Sequence, residues 1–390
     1  MAVTRTNLKT CAIGQLLIVG FDGLEMTPHL SSLFKRLQPA GVILFARNIV
    51  TAEQTWRLLR DCQKYVSTPL FTCVDLEGGL VDRFRDVLGP TPSAADVFAT
   101  GGRNLFRKHG QIIGENCRAL GFNVDFAPTL DLAFEASRSV MASRVVSADP
   151  RETVAYAREF LVGLRSADVL GCGKHFPGLG EGKLDSHREL PAIKKSLNKL
   201  WTEDLFPYRM LRTQLPLAMI SHAAYPLVTP AHTPASISKK WITDILRKRI
   251  GYLNPIVSDD LEMGAVLSAA SVGQAAVEFV RAGGDLCLIC HRADYVAQAY
   301  DELVKMTEDD SKFAKRVDES VRRVLSFKKK WAKALRRKPA LSLTMVEKLT
   351  RKLWEFGEEV RLAALARREN DREKTNSART SPSPRRLSRR

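Results

Sequence analysis

Short apolar runs recur along the chain at residues 15–21, 41–45, 70–74, 122–126, 169–173, 217–221, 255–258 and 285–290. Between them lie stretches whose apolar positions repeat with helical spacing, such as 52–66, 104–120, 150–167, 239–249 and 271–282. Short continuous apolar runs read as buried strands, and their alternation with amphipathic helices predicts a parallel α/β architecture. Eight such pairs suit a single (β/α)8 TIM-type barrel, with a doubly wound sheet as the alternative on pattern alone. The polar punctuation favours the barrel. Six runs end on a charged or imidazole residue, namely Asp75, Asp125, Lys174-His175, His222, Asp259 and His291. In a barrel, strand C-termini converge on the face where chemistry is placed.

Beyond residue 338 the pattern changes. Residues 345–366 form one long amphipathic helix candidate, with Leu349, Leu353, Trp354, Phe356 and Val360 roughly on one side. From Glu369 the chain is polar, runs through Ser381-Pro382-Ser383-Pro384 and finishes in arginines, a composition that predicts disorder. The expected organisation is therefore a catalytic domain at 1–338, a helical extension at 339–368 and a disordered basic tail at 369–390.

Charge sharpens that division. The formal net charge is +17, but residues 1–310 hold 35 Lys/Arg against 34 Asp/Glu, whereas residues 311–390 hold 25 against 9. The body is nearly neutral, so the high pI does not make the whole protein a nucleic-acid binder; only the tail is expected to contact nucleic acid or anionic surfaces. The seven cysteines sit mostly in apolar runs (Cys73, Cys172, Cys287, Cys290), which suits reduced thiols and a cytoplasmic setting. Cys287-Leu-Ile-Cys290 lies within a strand-like run and reads as core. No segment is long and apolar enough to span a membrane. Arg5 and Lys9 precede the apolar run at 11–21, yet Gly14-Gln15 interrupts it and Asp22-Gly23 reads as a turn, so a first strand is expected there rather than a signal peptide.

The most specific stretch is Lys174 to Pro191, KHFPGLGEGKLDSHRELP. A strand ends on Lys174-His175, and the Gly-rich loop that follows carries Asp185 and His187 two positions apart. A carboxylate beside an imidazole can fix its tautomer and orientation, which makes a plausible acid/base pair. Gly178-x-Gly180 lies in a long loop, not at a strand-to-helix turn, and is not a dinucleotide fingerprint. A metal-dependent barrel hydrolase would want His-x-His after the first strand, where this chain has Gly20-Phe21-Asp22-Gly23.

KHFPG-x-G-x4-DSH-x3-P resembles the signature of bacterial β-N-acetylhexosaminidases of glycoside hydrolase family 3. The segments GQLLIVGFDG (14–23), DLEGGLVDRF (75–84), NVDFAPTLD (123–131), Ser143-Arg144 with Asp149-Pro150, and SDDLEM (258–263) resemble further motifs of that family, in its order. The resemblance implies a retaining exo-β-N-acetylglucosaminidase that needs no cofactor and recycles cell-wall fragments in the cytoplasm. Within it, Asp259 would be the nucleophile and Asp185–His187 the acid/base dyad. Asp75, Arg83, Arg144, Lys174 and His175 would bind the sugar, and His222 is expected to line the site in preference to His291. Asp260 is expected to be a helix N-terminal carboxylate. Because a histidine acid/base carries no negative charge, a phosphorylase stays open as an alternative. The chain departs from the pattern at Leu179, where histidine is common, and at Leu80, where a basic residue often stands.

Overall fold

The computed structural model describes residues 12–181, 190–267 and 270–380, with side chains to residue 373. Eight parallel strands close into a barrel: β1 (Leu17–Val19), β2 (Gly41–Ile43), β3 (Phe71–Val74), β4 (Val124–Asp125), β5 (Leu170–Phe176), β6 (Leu217–Ile220), β7 (Ile256–Asp260) and β8 (Leu286–Ile289). Each pairs with its sequence neighbours, and closure comes from β1 against β8, with Leu17 opposite Cys287 and Val19 opposite Ile289. All eight expected strands are present, although most are shorter than their apolar runs. Both faces of each strand are covered, so the sequence shows continuous apolar runs without a polar alternation.

Side chains still alternate. Ile18, Ile43, Phe71, Cys73, Val124, Leu170, Cys172, Leu217, Met219, Val257, Leu286 and Leu288 fill the barrel. Their neighbours Leu17, Val19, Val42, Val74, Ala218, Ile220, Ile256 and Ile289 face outward against the helices. The helices Ala52–Gln63, Arg103–Leu120, Pro150–Ser166, Lys240–Arg249 (wound as a π-helix) and Val272–Ala282 fall within a few residues of the expected segments. Their N-termini are set by side chains: Thr51 accepts from the Gln54 N–H, Asp149 from Arg151, and Ser271 from Gln274.

The bottom of the barrel is sealed by the helix Ser311–Lys330 and the turn after it. Phe327, Trp331, Ala334 and Leu335 pack onto the interior cluster, and Phe327 meets the Phe71 ring. Arg118 Nη1 and Nη2 donate to the carbonyls of Ala334 and Arg336, which pins this plug to the helix beneath β4. The barrel is thereby a pit with one mouth, at the C-terminal ends of the strands.

The C-terminal helix runs from Leu343 to Thr380 and lies against the segments Arg85–Leu88, Ala94–Ala99 and Arg103–Leu120. Leu353, Phe356 and Val360 are buried as expected, but Trp354 is 68% exposed. Trp354 is one residue, about 100°, from Leu353, and that rotation carries it off the packed face. The helix also continues past Glu369, where order was expected to end. Residues 369–380 contain no Gly or Pro, and Arg367 pairs with Asp371 one turn on. The Ser-Pro repeat and final arginines lie outside the described residues. No described helix is long and apolar enough to cross a membrane. The six described cysteines are buried and free, Cys287 and Cys290 among them.

Candidate active site

The pit at the open end is lined by Phe45, Asp75, Glu77, Val81, Arg83, Val140, Met141, Arg144, Lys174, His175, Leu179, Asp259, Asp260 and His291, among others. Its centre is an ion network built from three elements. Lys174, at the end of β5, reaches Asp75 Oδ1 at 2.7 Å and Glu77 Oε1 at 2.5 Å. Arg144, from the short helix Ala142–Arg144, grips Glu77 with two parallel bonds, Nε to Oε2 and Nη2 to Oε1, both 2.8 Å. Thr129 Oγ1 donates to Glu77 as well. Burial on its own would neutralise these groups. Opposite charges at bidentate distance outweigh it, so Glu77 is held well below the usual carboxylate range and Lys174 and Arg144 well above their usual values.

Glu77 was not among the expected site residues, although it stands two positions from Asp75 in the same motif. The local fold explains the motif. Leu76–Gly78 and Val81–Asp82 form a small antiparallel hairpin after β3. Gly78 and Gly79 turn it at φ +82° and +61°, and a Cβ at Gly78 would lie 2.1 Å from the Pro92 carbonyl oxygen. The glycines therefore allow the turn that folds Glu77 inward. Exposed Leu80 sits at its tip, away from the chemistry. Arg83, beyond the hairpin, lies 5.5 Å over the Phe45 ring, and its buried Nε has no partner among the described residues.

Asp131 is the second residue missed from sequence. Fully buried, it accepts from His175 Nδ1 at 2.7 Å and the His175 N–H at 3.2 Å through one oxygen, and from the Leu179 N–H at 2.7 Å through the other. One carboxylate thus fixes both the His175 ring and the start of the loop that follows. Leu179 itself is buried against the pit wall.

Asp259 lies at the floor, at the end of β7, and accepts the Asp260 N–H on Oδ1 at 2.9 Å. Burial would raise its carboxyl. The His175 and His222 rings, the Asp260 N–H and the Lys174 ammonium outweigh that and hold it below the ordinary value. Asp260 is not a helix N-terminal carboxylate. It ends β7, and its Oδ1 accepts from the N–H groups of Glu262 and Cys290. Burial, together with the charges of Glu262 and Asp259, pushes it up to about 7.

The two histidines sit differently from expectation. His222 is fully buried and does not line the pit, with Nδ1 2.7 Å from Ser236 Oγ and Nε2 2.9 Å from the Asp260 carbonyl. His291 is the one on the pit wall, half-exposed, stacked on Phe45 and 3.6 Å from Asp260 Oδ2. Asp125, also at a strand end, is sequestered: it accepts the Leu76 N–H, and burial drives its carboxyl well above the usual range. Asp185 and His187 lie outside the described residues. Among the described residues, no group of three or more His, Cys, Asp or Glu is arranged to hold a metal ion.

A one-mouthed pit at the C-terminal end of an eight-stranded barrel, with an ionised carboxylate at its floor and paired charges on its wall, has the place and polarity of a barrel enzyme's active site. Residues 10–327 match the glycosyl hydrolase family 3 N-terminal domain, and the chain belongs to that family and is a glycoside hydrolase. It is 32% identical to a beta-hexosaminidase of Idiomarina loihiensis over 76% of this chain and 89% of that one. It is 34% identical to a beta-hexosaminidase of Bordetella avium, over 73% and 83%. Among solved structures, a family 3 β-N-acetylglucosaminidase from Paenibacillus superposes with a TM-score of 0.82 at 31% identity, covering 91% of this chain and 69% of that one.

Proposed function

We propose that this protein is a retaining exo-β-N-acetylglucosaminidase that removes terminal N-acetylglucosamine from peptidoglycan-derived fragments, in the cytoplasm and without a cofactor. The observation that carries this reading is the ionised Asp259 at the floor of the pit facing the Lys174–Glu77–Arg144–Asp75 network. A pit with a single mouth admits a chain end rather than a chain interior, which supports exo action. The N-acetyl sugar is supported by what the related proteins are called.

In this mechanism Asp259 attacks the anomeric carbon to form a glycosyl ester, and water later breaks that ester, so the configuration is retained. The Asp260 N–H holds one Asp259 oxygen still while the other attacks. His187, oriented by Asp185, protonates the leaving sugar and then activates the water. Asp75, Arg83, Arg144, Lys174 and His175 hold the hydroxyls of the non-reducing sugar, and the Arg83 Nε, which has no partner among the described residues, offers a donor for one of them. His222 acts through the Asp260 backbone carbonyl that it bonds, rather than by touching the sugar. On this reading residues 1–338 form the catalytic unit, 339–368 an extension that braces it, and 369–390 a tail not needed for chemistry.

A panel of aryl β-glycosides tests the substrate assignment. Preferential cleavage of the N-acetylglucosaminide is expected, and preference for the glucoside would overturn it. Running the panel with and without phosphate distinguishes hydrolysis from phosphorolysis, and a sugar 1-phosphate product would replace the hydrolase reading with a phosphorylase one.

A further inference from the structure

The closed end of the barrel carries a charge pattern that the catalytic reading does not use. Between Glu319 and Glu347 the chain has no acidic residue and nine Lys/Arg, all within 322–338. Some of these are consumed by the fold. Arg323 pairs with buried Asp285, Lys328 is buried, and Lys333 and Lys338 flank Asp168 at 3.1 and 3.7 Å. Arg322, Lys329, Lys330 and Arg336 are exposed and make no ion pair among the described residues.

Helix dipoles account for only part of the pattern. The barrel helices run antiparallel to the strands, so their C-termini lie at this end, and Arg60, Arg118 and Arg165 in their last turns complement the dipoles. The plug adds a second layer of cations beyond that requirement, on the surface facing away from the pit. Two apolar groups stand among them. Leu325 is 39% exposed, three residues from Arg322 and four from Lys329 on the same outward stripe. Trp331 is half-buried, with the Lys330 ammonium 5.9 Å from its ring centroid.

We propose that the closed end of the barrel docks on an anionic lipid bilayer, holding the enzyme with its pit turned toward the solution. Basic side chains alone would suit any polyanion. An outward leucine and a half-buried indole beside a lysine fit a headgroup layer, where the cations meet phosphates and the apolar groups enter the acyl boundary. A nucleic-acid backbone gives Leu325 nothing to contact.

Co-sedimentation of the full-length chain with phosphatidylcholine vesicles, with and without phosphatidylglycerol, tests this at low and high salt. Binding is expected only with phosphatidylglycerol and should weaken with salt. The Lys329→Gln, Lys330→Gln, Arg336→Gln triple variant should bind roughly a hundredfold more weakly, at about fivefold per basic residue. Its turnover of a soluble aryl glycoside should be unchanged, which also shows that it is folded. A second full-length variant with Arg385, Arg386, Arg389 and Arg390 changed to Gln separates the tail from the plug, and it should retain most of the vesicle binding. The proposal is overturned if wild type ignores phosphatidylglycerol vesicles, if it binds duplex DNA but not vesicles, if the triple variant binds as well as wild type, or if the tail variant alone abolishes binding.

Discussion

Three lysines are buried among the described residues, and two of them, Lys174 and Lys328, lie at opposite ends of the barrel in surroundings that differ in one respect. Lys174, at the open end, sits between the carboxylates of Asp75 and Glu77 and stays charged. Lys328, at the closed end, donates to the Gln15 amide oxygen and the Thr68 hydroxyl and lies 5.0 Å over the Phe71 ring. Among the described residues no carboxylate faces it, and burial pushes its pKa down to about 7. Equal burial therefore gives opposite outcomes. Charge persists in the interior where other charges are arranged around it, and that arrangement exists at the end where the proposed function has sugar hydroxyls bind.

Removing the arrangement should have the largest effect. Glu77→Gln leaves Lys174 with Asp75 alone and takes from Arg144 its carboxylate partner, which lets both move. It should lower kcat/KM by about 10²-fold or more and destabilise the fold by about 3–5 kcal/mol. Steady-state kinetics and denaturant unfolding check both, and a variant with near-normal kinetics would mean the network is scaffolding rather than site.

At the other end, Lys328→Met should leave activity within about twofold and raise stability at pH 7. Thr68 still donates to Gln15 in its absence, so no acceptor is orphaned. The sign follows from linkage. An unfolded lysine titrates near ~10.4, so between about pH 7 and pH 10 unfolding takes up a proton and wild-type stability rises with pH. The advantage of the methionine variant should be full near pH 7, of the order of a few kcal/mol, and vanish as pH approaches 10. A difference independent of pH would show that Lys328 is charged in the native state.

A buried histidine marks the join between barrel and extension. The His109 ring stacks on Phe356 of the C-terminal helix and bonds Tyr156, and burial lowers its pKa to about 3. Its unfolded value is near ~6.5, so unfolding takes up a proton below that pH. Stability should fall as pH drops from about 6.5 toward 4, less steeply in His109→Phe, as thermal melts across that range would show. The smallest effect is expected from the tail. Truncation after Ala366 keeps Leu353, Phe356 and Val360, and should leave turnover of a soluble aryl substrate unchanged; loss of most activity from a folded product would mean the last turns shape the pit.

The barrel was legible because a strand covered on both faces has to be apolar throughout, and eight such runs stand out against amphipathic helices. Asp75, Arg83, Arg144, Lys174, His175 and Asp259 were legible from strand ends and motifs, and the structure brings these six to one pit. Glu77 and Asp131 were not, because a carboxylate's role depends on the direction in which its backbone turns. The hairpin at Gly78-Gly79 and the approach of 131 to 175 are tertiary facts. The contrast between His222 and His291 was hidden for the same reason: both follow apolar runs, and only packing shows that Ser236 and the Asp260 carbonyl hold His222 out of the pit lining. Trp354 was misplaced by a single residue of helical phase.

The central claim is that Asp259 is the residue that becomes bonded to sugar. Mass spectrometry of His187→Ala after mixing with a nitrophenyl N-acetylglucosaminide tests it directly. Nitrophenol needs little protonation to leave, so the first step should proceed, while the second, lacking its base, should stall. The account predicts a peptide containing Asp259 heavier by one N-acetylglucosaminyl group, and no such adduct when Asp259→Ala is added. An adduct on another residue, or equal loss of activity with sugar and nitrophenol leaving groups and nothing trapped, would contradict it.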